Sequence, residues 1–478
     1  MAFDIMDMAS KAVRTVSAAY GTKIQKEVIK QTLERNGPVT ITGGGWRLGF
    51  AKDEIMPDMN TGKTYYIAGH GSGHKMEGVL TPVYIHAVWL DCGGKEGILW
   101  LSADIVGMTN TEVEVIRARI SSSKVIKGCR AVNFSCTHSH SGIDTVGYWG
   151  KPFLSIPANG KDPDYMELIY QKALLVSESA YLTRRPGALY SGRAAIPGGL
   201  HSLRPFTDKH EYLTRLRFVP ADGGRETWLI NVGAHPNSLG GGNRLLSGEY
   251  PYYLQVELRD QADVFFGIGA IGGMDAAMLD EKDPQNCIKL QGKLYAGATA
   301  GITEEAPLEP RIKFLRRRFY LPVDNNVLAF LAIRGTMSFH PYPDKSAATG
   351  LCMMTELTLM TLGEQKILLL PGENFISTVF GGYHDAAHSP TGEGPEVNAR
   401  PLAEIVNDEN LIVYGVTNDM TGYCLEKNVF VLNPTQPYLN TATDRFGNRH
   451  YHETNSMGPR THEVIARTLA EVVEDFSR

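Results

Sequence analysis

From about residue 40 onward, short apolar runs alternate with glycine-rich corners and amphipathic stretches. Runs such as Ile98-Leu99-Trp100-Leu101, Trp228-Leu229-Ile230 and Ile367-Leu368-Leu369-Leu370 read as strands, and the stretches between them as helices. The alternation predicts an α/β fold, a mixed twisted β-sheet core flanked by helices. Residues 1–35 read as helical, with Met6, Ala9, Val13 and Val16 at helical spacing. The chain changes character at Gly37-Pro38-Val39. The expected organisation is therefore a helical extension over 1–38 and a single domain over 39–478. The last stretch spaces Val464, Ile465, Leu469, Val472, Val473 and Phe476 as a closing helix. No internal repeat, low-complexity segment or Pro/Ser-rich linker interrupts this order.

Several of the strand-like runs lead straight into a chemically competent residue. ILWLSAD delivers Asp104, and AVNFSCTHSH delivers His138 and His140. ETWLINVGAH delivers His235, and DVFFGIGAIGGMD delivers Asp275. KILLLPGE delivers Glu373, and NLIVYGVTNDMTGY delivers Asn418 and Tyr423. In α/β sheets, ligands sit beyond the carboxyl ends of strands, so six such ends converging predict one polar pocket.

Within that set the sharpest local motif is Thr137-His138-Ser139-His140-Ser141-Gly142. On an extended chain, residues two apart face the same side, so both histidines can enter one cavity. A neutral imidazole is a good zinc ligand, and the second histidine can orient it or act as acid or base. His235 and Glu373 each follow a buried run. Taken singly, each fits a satisfied structural group as well as a ligand. A rival pair, His384 and His388, stands at i and i+4, a spacing that would share one helix face. Asp385 occupies the place of the Glu that a zinc-protease helix would use as base. His384 is therefore read as a substrate contact. His70-Gly71-Ser72-Gly73-His74 lacks the spacing of a phosphate loop and is read as a flexible loop bordering the pocket, with His70 on the substrate side.

Composition narrows the class. The net charge of −5 carries no polybasic footprint for nucleic acid or for an anionic membrane surface. No apolar run reaches the roughly 18 residues of a membrane span, and the N-terminus has no apolar signal-peptide core. Neither nucleic acid nor a stable membrane association is expected; a small-molecule substrate is, and a homo-oligomer stays open. The six cysteines form no CxxC pair, which disfavours a zinc knuckle and a disulfide framework and suits a cytoplasmic protein with buried thiols. A metal would then be held by His, carboxylate and Tyr.

The order and spacing of these segments resemble the catalytic domain of the neutral, non-lysosomal ceramidase family. LSADIVGM resembles that family's strand ending in Asp, and CTHSHSG its Thr-His-Thr-His-Ser-Gly motif. GAHPNS with LLSGEY resembles its His strand and Ser-Gly-Asp segment, and FFGIGAIGGMDA its Gly-Ala-Ala-Gly-Asp-Val-Ser-Pro stretch. LLLPGENF resembles its Pro-Gly-Glu-Phe, and GVTNDMTGY its Asn-x-Tyr-x-x-Tyr. Together they span roughly residues 40 to 460 in the family's order. The resemblance implies one Zn2+ per chain, or a similar divalent ion, held by His138, His235, Glu373 and Tyr423. It implies His140 as the catalytic second histidine, Arg204 as an arginine that contacts substrate, and Tyr451 as a tyrosine lining the pocket.

The departures from the family pattern bear on the substrate. Asp275 stands where the family has a catalytic Ser, and Met420 where it has the first Tyr of Asn-x-Tyr. The sequence ends where an immunoglobulin-like domain would begin, and no apolar lid for a membrane lipid is evident. These departures point away from ceramide. The expectation is a zinc-dependent hydrolase of an amide or ester bond in a small polar, cytoplasmic substrate, acting by metal-activated water, with Asp275 as general base or substrate contact. The alternatives are a metal-dependent glycosidase or lyase on a sugar-like substrate, and a non-catalytic binding protein.

Overall fold

The computed structural model describes residues 5–153, 156–204 and 210–478. Among these, two large sheets dominate. The nine-stranded sheet runs in the order Ala262–Ile268, Glu226–Val232, Tyr212–Pro220, Arg185–Ala195, Trp46–Glu54, Tyr84–Asp91, Gly97–Ala103, Cys129–Cys136, with Glu305–Leu308 paired onto Arg185–Ala195. The six-stranded sheet runs Val39–Thr42, Arg311–Val323, Leu351–Leu362, Gln365–Leu369, Ile412–Tyr414, with Pro341–Pro343 on Leu351–Leu362. Both mix parallel and antiparallel pairs, as the alternating pattern predicts.

The runs are apolar throughout because both their faces are covered. Between the sheets, Trp46, Leu48, Leu216, Leu229 and Phe265 meet Ile312, Met360, Ile367 and Tyr414. The Trp100 ring lies 4.4 Å from that of Tyr414 and 5.7 Å from that of Phe265. Helices cover the outer faces. Pro163–Leu182 packs on Trp46–Glu54 and Tyr84–Asp91, Glu249–Leu258 on Ala262–Ile268, and Thr461–Ser477 on Arg311–Val323. The last helix buries Val464, Ile465, Leu469 and Val472 as its spacing predicts.

The nine-stranded sheet also curls until its ends meet. The Ser102 hydroxyl donates to the Phe266 carbonyl at 2.6 Å, joining Gly97–Ala103 to Ala262–Ile268 although many strands separate them in the sheet. Gly415 N–H then donates to the Ile268 carbonyl, bringing in the edge of the second sheet. Three parallel pairs are thereby gathered at one place: 97–103 with 129–136, 226–232 with 262–268, and 367–369 with 412–414. This convergence is what the strand ends require to form one site.

The N-terminal helix is Ile5–Glu27 among the described residues and ends before the expected 35; residues 28–38 carry no regular structure, and residues 1–4 of the expectation lie outside the described residues. Its inner face is also displaced from the apolar spacing. Ser10, Val13, Ser17 and Ile24 are buried, whereas Val16 is 43% exposed. Small residues let the helix approach closely: a Cβ on Gly21 would lie 2.0 Å from the Thr349 carbonyl oxygen. The Ser17 hydroxyl donates to the Asn326 carbonyl, so the helix joins the main core. Residues 384–388 form no helix. The chain leaves helix Ile376–Phe380 at Gly381, a glycine at φ +88°, and continues as turns, so His384 and His388 do not share a helix face.

Candidate metal centre

The strand Cys129–Cys136 ends against Ala103, whose carbonyl accepts from Thr137 N–H. The next residue, His138, adopts φ +60°. The HSHSG segment is thus a turn and not the extended continuation expected, and left-handed backbone at a residue with a side chain costs of order 1–3 kcal/mol. Surrounding contacts hold it. Ser139 Oγ donates to the Ser247 carbonyl at 2.7 Å, His140 N–H to the Pro236 carbonyl at 2.9 Å, and Ser141 Oγ to Glu249 Oε1 at 2.8 Å. The turn still brings both rings to one point, with His138 Nε2 and His140 Nε2 3.1 Å apart.

His235 arrives from strand Glu226–Val232 across the curled sheet. Its Nδ1 meets the Met274 carbonyl at 3.0 Å, and His138 Nδ1 meets the Val106 carbonyl. A carbonyl only accepts, so each Nδ1 carries the proton and each Nε2 presents a lone pair. Those Nε2 atoms lie 3.0 Å (His235) and 3.4 Å (His138) from Glu373 Oε2. Glu373 reaches the site because Pro371-Gly372 turns the chain out of Gln365–Leu369, with Gly372 at φ +63°. Glu373 then pairs in register with Tyr423, whose ring stands near that of His235 with centroids 6.4 Å apart.

All four side chains are buried. Burial pushes the Glu373 carboxyl up, but the His138 and His235 imidazoles outweigh it and hold the group below the usual carboxylate range. Burial, reinforced by His138, holds His140 well below the usual imidazole value, so it is neutral. Burial and the neighbouring Glu373 carboxylate raise the Tyr423 phenol. With each Nδ1 proton committed to a carbonyl, each neutral imidazole turns its Nε2 lone pair on the carboxylate oxygen, and only a second ring proton or a cation can join them. In this buried site the donor types suit a divalent transition ion. The nitrogens of His138, His140 and His235 also lie within 4.8 Å of one another, so His140 joins the same cluster as a possible ligand and not only as a neighbouring acid or base.

His138, His140, Glu373 and Tyr423 line a cavity of about 460 Å³, with His235 behind them. On one side stand His70, Ser72, Asn237 and Tyr451. His70 Nε2 meets the Asn237 carbonyl at 3.3 Å, and its ring stands edge-on to His140 with centroids 5.0 Å apart. Asp275 is held beside this wall: Asn237 Nδ2 donates to Asp275 Oδ1 at 2.7 Å, and a backbone bridge pairs Asp275 with His235. The Tyr451 ring stands edge-on to that of Tyr423, with centroids 6.3 Å apart. The other wall is apolar, built from Trp149, Leu328, Met337, Met420 and Met457. Sequence reasoning missed this wall, because Leu328, Met337 and Met457 come from segments with no chemical motif of their own.

Arg204 and His384 lie outside this cavity. They border a separate small hollow with Phe375, His388 and His450. Arg204 is buried, and its two terminal guanidinium nitrogens are engaged with His450, His452 and Glu453, while Nε has no hydrogen-bond partner among the described residues.

The loop over His140 depends on one glycine. Gly69 sits at φ +104°, and a Cβ there would meet His140 atoms at 2.4–2.6 Å. Gly69→Ala is expected to push the His140 ring out of the cluster and weaken metal binding about tenfold or more, with the melting temperature lowered by only a few degrees. Chelator competition and a thermal melt check this.

No protein-family model matches the chain, and no curated protein matches it by sequence. Solved structures do match by shape. The neutral ceramidase from Pseudomonas aeruginosa superposes with a TM-score of 0.65 at 14% identity, over 91% of this chain and 74% of that one. A ceramidase complexed with C2 gives 0.64 at 13% identity, over 90% and 75%. The chain has the neutral-ceramidase fold, at a low identity that marks it as divergent.

Proposed function

We propose that the chain is a zinc-dependent hydrolase acting on an amide or ester bond of a small substrate with a polar pole and a compact apolar limb. The observation that carries this is the set of lone pairs from His138 Nε2, His235 Nε2 and Glu373 Oε2 converging on the floor of the cavity. The fold shared with ceramidases supports an amide as the bond cleaved. His138, His235, Glu373 and Tyr423 would hold the ion, with His140 close enough to add a nitrogen. One divalent ion per chain, zinc being the best match to imidazole and carboxylate donors, supplies a Lewis acid that polarises a carbonyl oxygen and lowers the pKa of water.

The chain's own groups divide the remaining work. His140, neutral and with a buried Nδ1 that has no partner, exchanges a proton with the leaving group. The Tyr451 hydroxyl, in the cavity lining, donates toward the oxygen on which charge develops. Asp275, held by Asn237, accepts from a hydroxyl or ammonium at the polar pole. The Met337, Met420 and Met457 wall, flexible and polarisable, takes the apolar limb. A cytoplasmic setting remains part of the proposal, supported by six unpaired thiols.

The test is a panel of short N-acyl and O-acyl compounds with hydroxylated or amino leaving groups, run with the zinc-loaded chain in oxygen-labelled water. Label in the released acid is expected; release without label means elimination. Asp275→Ala is expected to cut kcat/KM roughly tenfold or more on hydroxylated leaving groups and far less on plain ones. Equal turnover on both would remove Asp275 from the site.

A further inference from the structure

Behind Tyr423 lies a buried polar cluster that the proposed reaction does not use. Arg204 Nη2 donates to His452 Nδ1 at 2.9 Å and to Glu453 Oε2 at 3.0 Å, and Arg204 Nη1 lies against the His450 ring. Glu453 Oε1 in turn accepts from His450 Nδ1 at 2.7 Å. Arg204, His450, His452 and Glu453 are all buried.

Because a guanidinium only donates, its bond to His452 Nδ1 fixes that nitrogen as the acceptor. A neutral imidazole then carries its proton on Nε2, and His452 Nε2 is buried with no hydrogen-bond partner. A buried donor left unpaired is costly, so its retention calls for a reason. The ring itself supplies one. It stands at 85° to the Tyr423 ring with centroids 4.7 Å apart, and at 79° to Phe375 at 5.1 Å. It lies nearly flat against Tyr451, at 3.9 Å and 28°. His452 therefore touches both phenols that face the cavity, and Arg204 sets its orientation.

We infer that Arg204, acting through His452, is a positioning residue that locks Tyr423 and Tyr451 into the metal centre from behind. Arg204 does not line the cavity; its guanidinium lies 5.8 Å from the Phe375 ring and donates to His452. The inference rests on the reading that Tyr423 belongs to the metal centre. It changes what the arginine does, because a charge that cannot reach the cavity acts on geometry alone.

The test is a double-substitution cycle read by zinc affinity, measured by chelator competition with zinc as the only ligand. His452→Phe keeps the ring's bulk but removes the bond from Arg204. It is expected to weaken zinc binding about tenfold, as is Tyr423→Phe. The pair together is expected to lose no more than the worse single change, because both act through the same phenol. Losses that multiply, or an unchanged affinity in His452→Phe, would overturn the inference. Arg204→Lys, which cannot serve His450, His452 and Glu453 at once, is expected to follow His452→Phe; should it fail to fold, the cycle stands without it. If the wild-type chain takes up no zinc, the proposed function falls. The positioning claim is then read from the metal-free chain, by the near-ultraviolet circular dichroism of Tyr423 obtained as the difference between wild type and Tyr423→Phe. That signal changes in His452→Phe if the imidazole orders the phenol, and its staying put overturns the inference.

Discussion

Replacing His138 and His235 together by alanine is expected to take bound zinc from about one equivalent per chain to none, and hydrolysis with it. Each imidazole is fixed by a backbone carbonyl on Nδ1, which aims its Nε2 at the proposed ion position. Removing both takes away two of the four proposed ligands and the geometry they set. Elemental analysis of the purified variant reads the stoichiometry. A thermal melt gives an independent reading, because a ligand at one hundred times its dissociation constant adds about 2.7 kcal/mol of stability. Added zinc should raise the melting temperature of the wild type and leave the double variant unchanged. Full retention of zinc in the variant would move the metal elsewhere, with His384 and His388 the first place to look.

Glu356→Gln is expected to destabilise the fold by about 3–5 kcal/mol, the usual cost of breaking a buried ion pair by removing one partner. Glu356, on strand Leu351–Leu362, is buried and takes Arg117 through two bonds of 2.6 and 3.0 Å. Arg117 is itself largely buried on helix Asn110–Ser121, and glutamine would leave its charge with only the half-exposed Glu114, at 2.7 Å, as counter-ion. The pair also makes the loss depend on pH. Burial raises the Glu356 carboxyl, but Arg117 outweighs it and the net shift is downward. A carboxyl lowered by folding stabilises the fold fully above its unfolded value, about 4.3, and loses that contribution as pH falls through the lowered one. The gap between wild type and variant, measured by urea unfolding, should be widest near neutrality and narrow in acid. A constant gap would show that packing and not charge carries the effect.

Much of the metal centre was legible because its residues follow apolar runs that can only be buried strands. Ile230 and Leu369 announce strands, and His235 and Glu373 follow where the chain must leave the core. The turn at His138 was not legible. Left-handed backbone at a histidine leaves no mark in sequence, and an extended reading happens to bring the same two rings together. Arg204 and His384 were misplaced for a different reason. Each sits among plausible polar neighbours, but what an arginine touches depends on residues such as Glu453 that lie far along the chain. The two-sheet core escaped too, since apolar runs say that a strand is covered and not by what. The apolar wall made by Leu328, Met337 and Met457 is a product of packing, and no local pattern could have drawn it.

The curled sheet has one more consequence, in time instead of space. The bond that joins its ends ties residues 164 positions apart, and the pairing of Glu373 with Tyr423 closes the metal centre from still further along the chain. Contacts of such range form slowly, because the loop must be closed before they reward it. A chain emerging from the ribosome exposes His138 and His235 long before it has a carboxylate or a phenol to complete them. If the cluster takes up the proposed ion, its capture belongs to the end of folding, and a loaded centre would be a certificate that the whole chain has found its place.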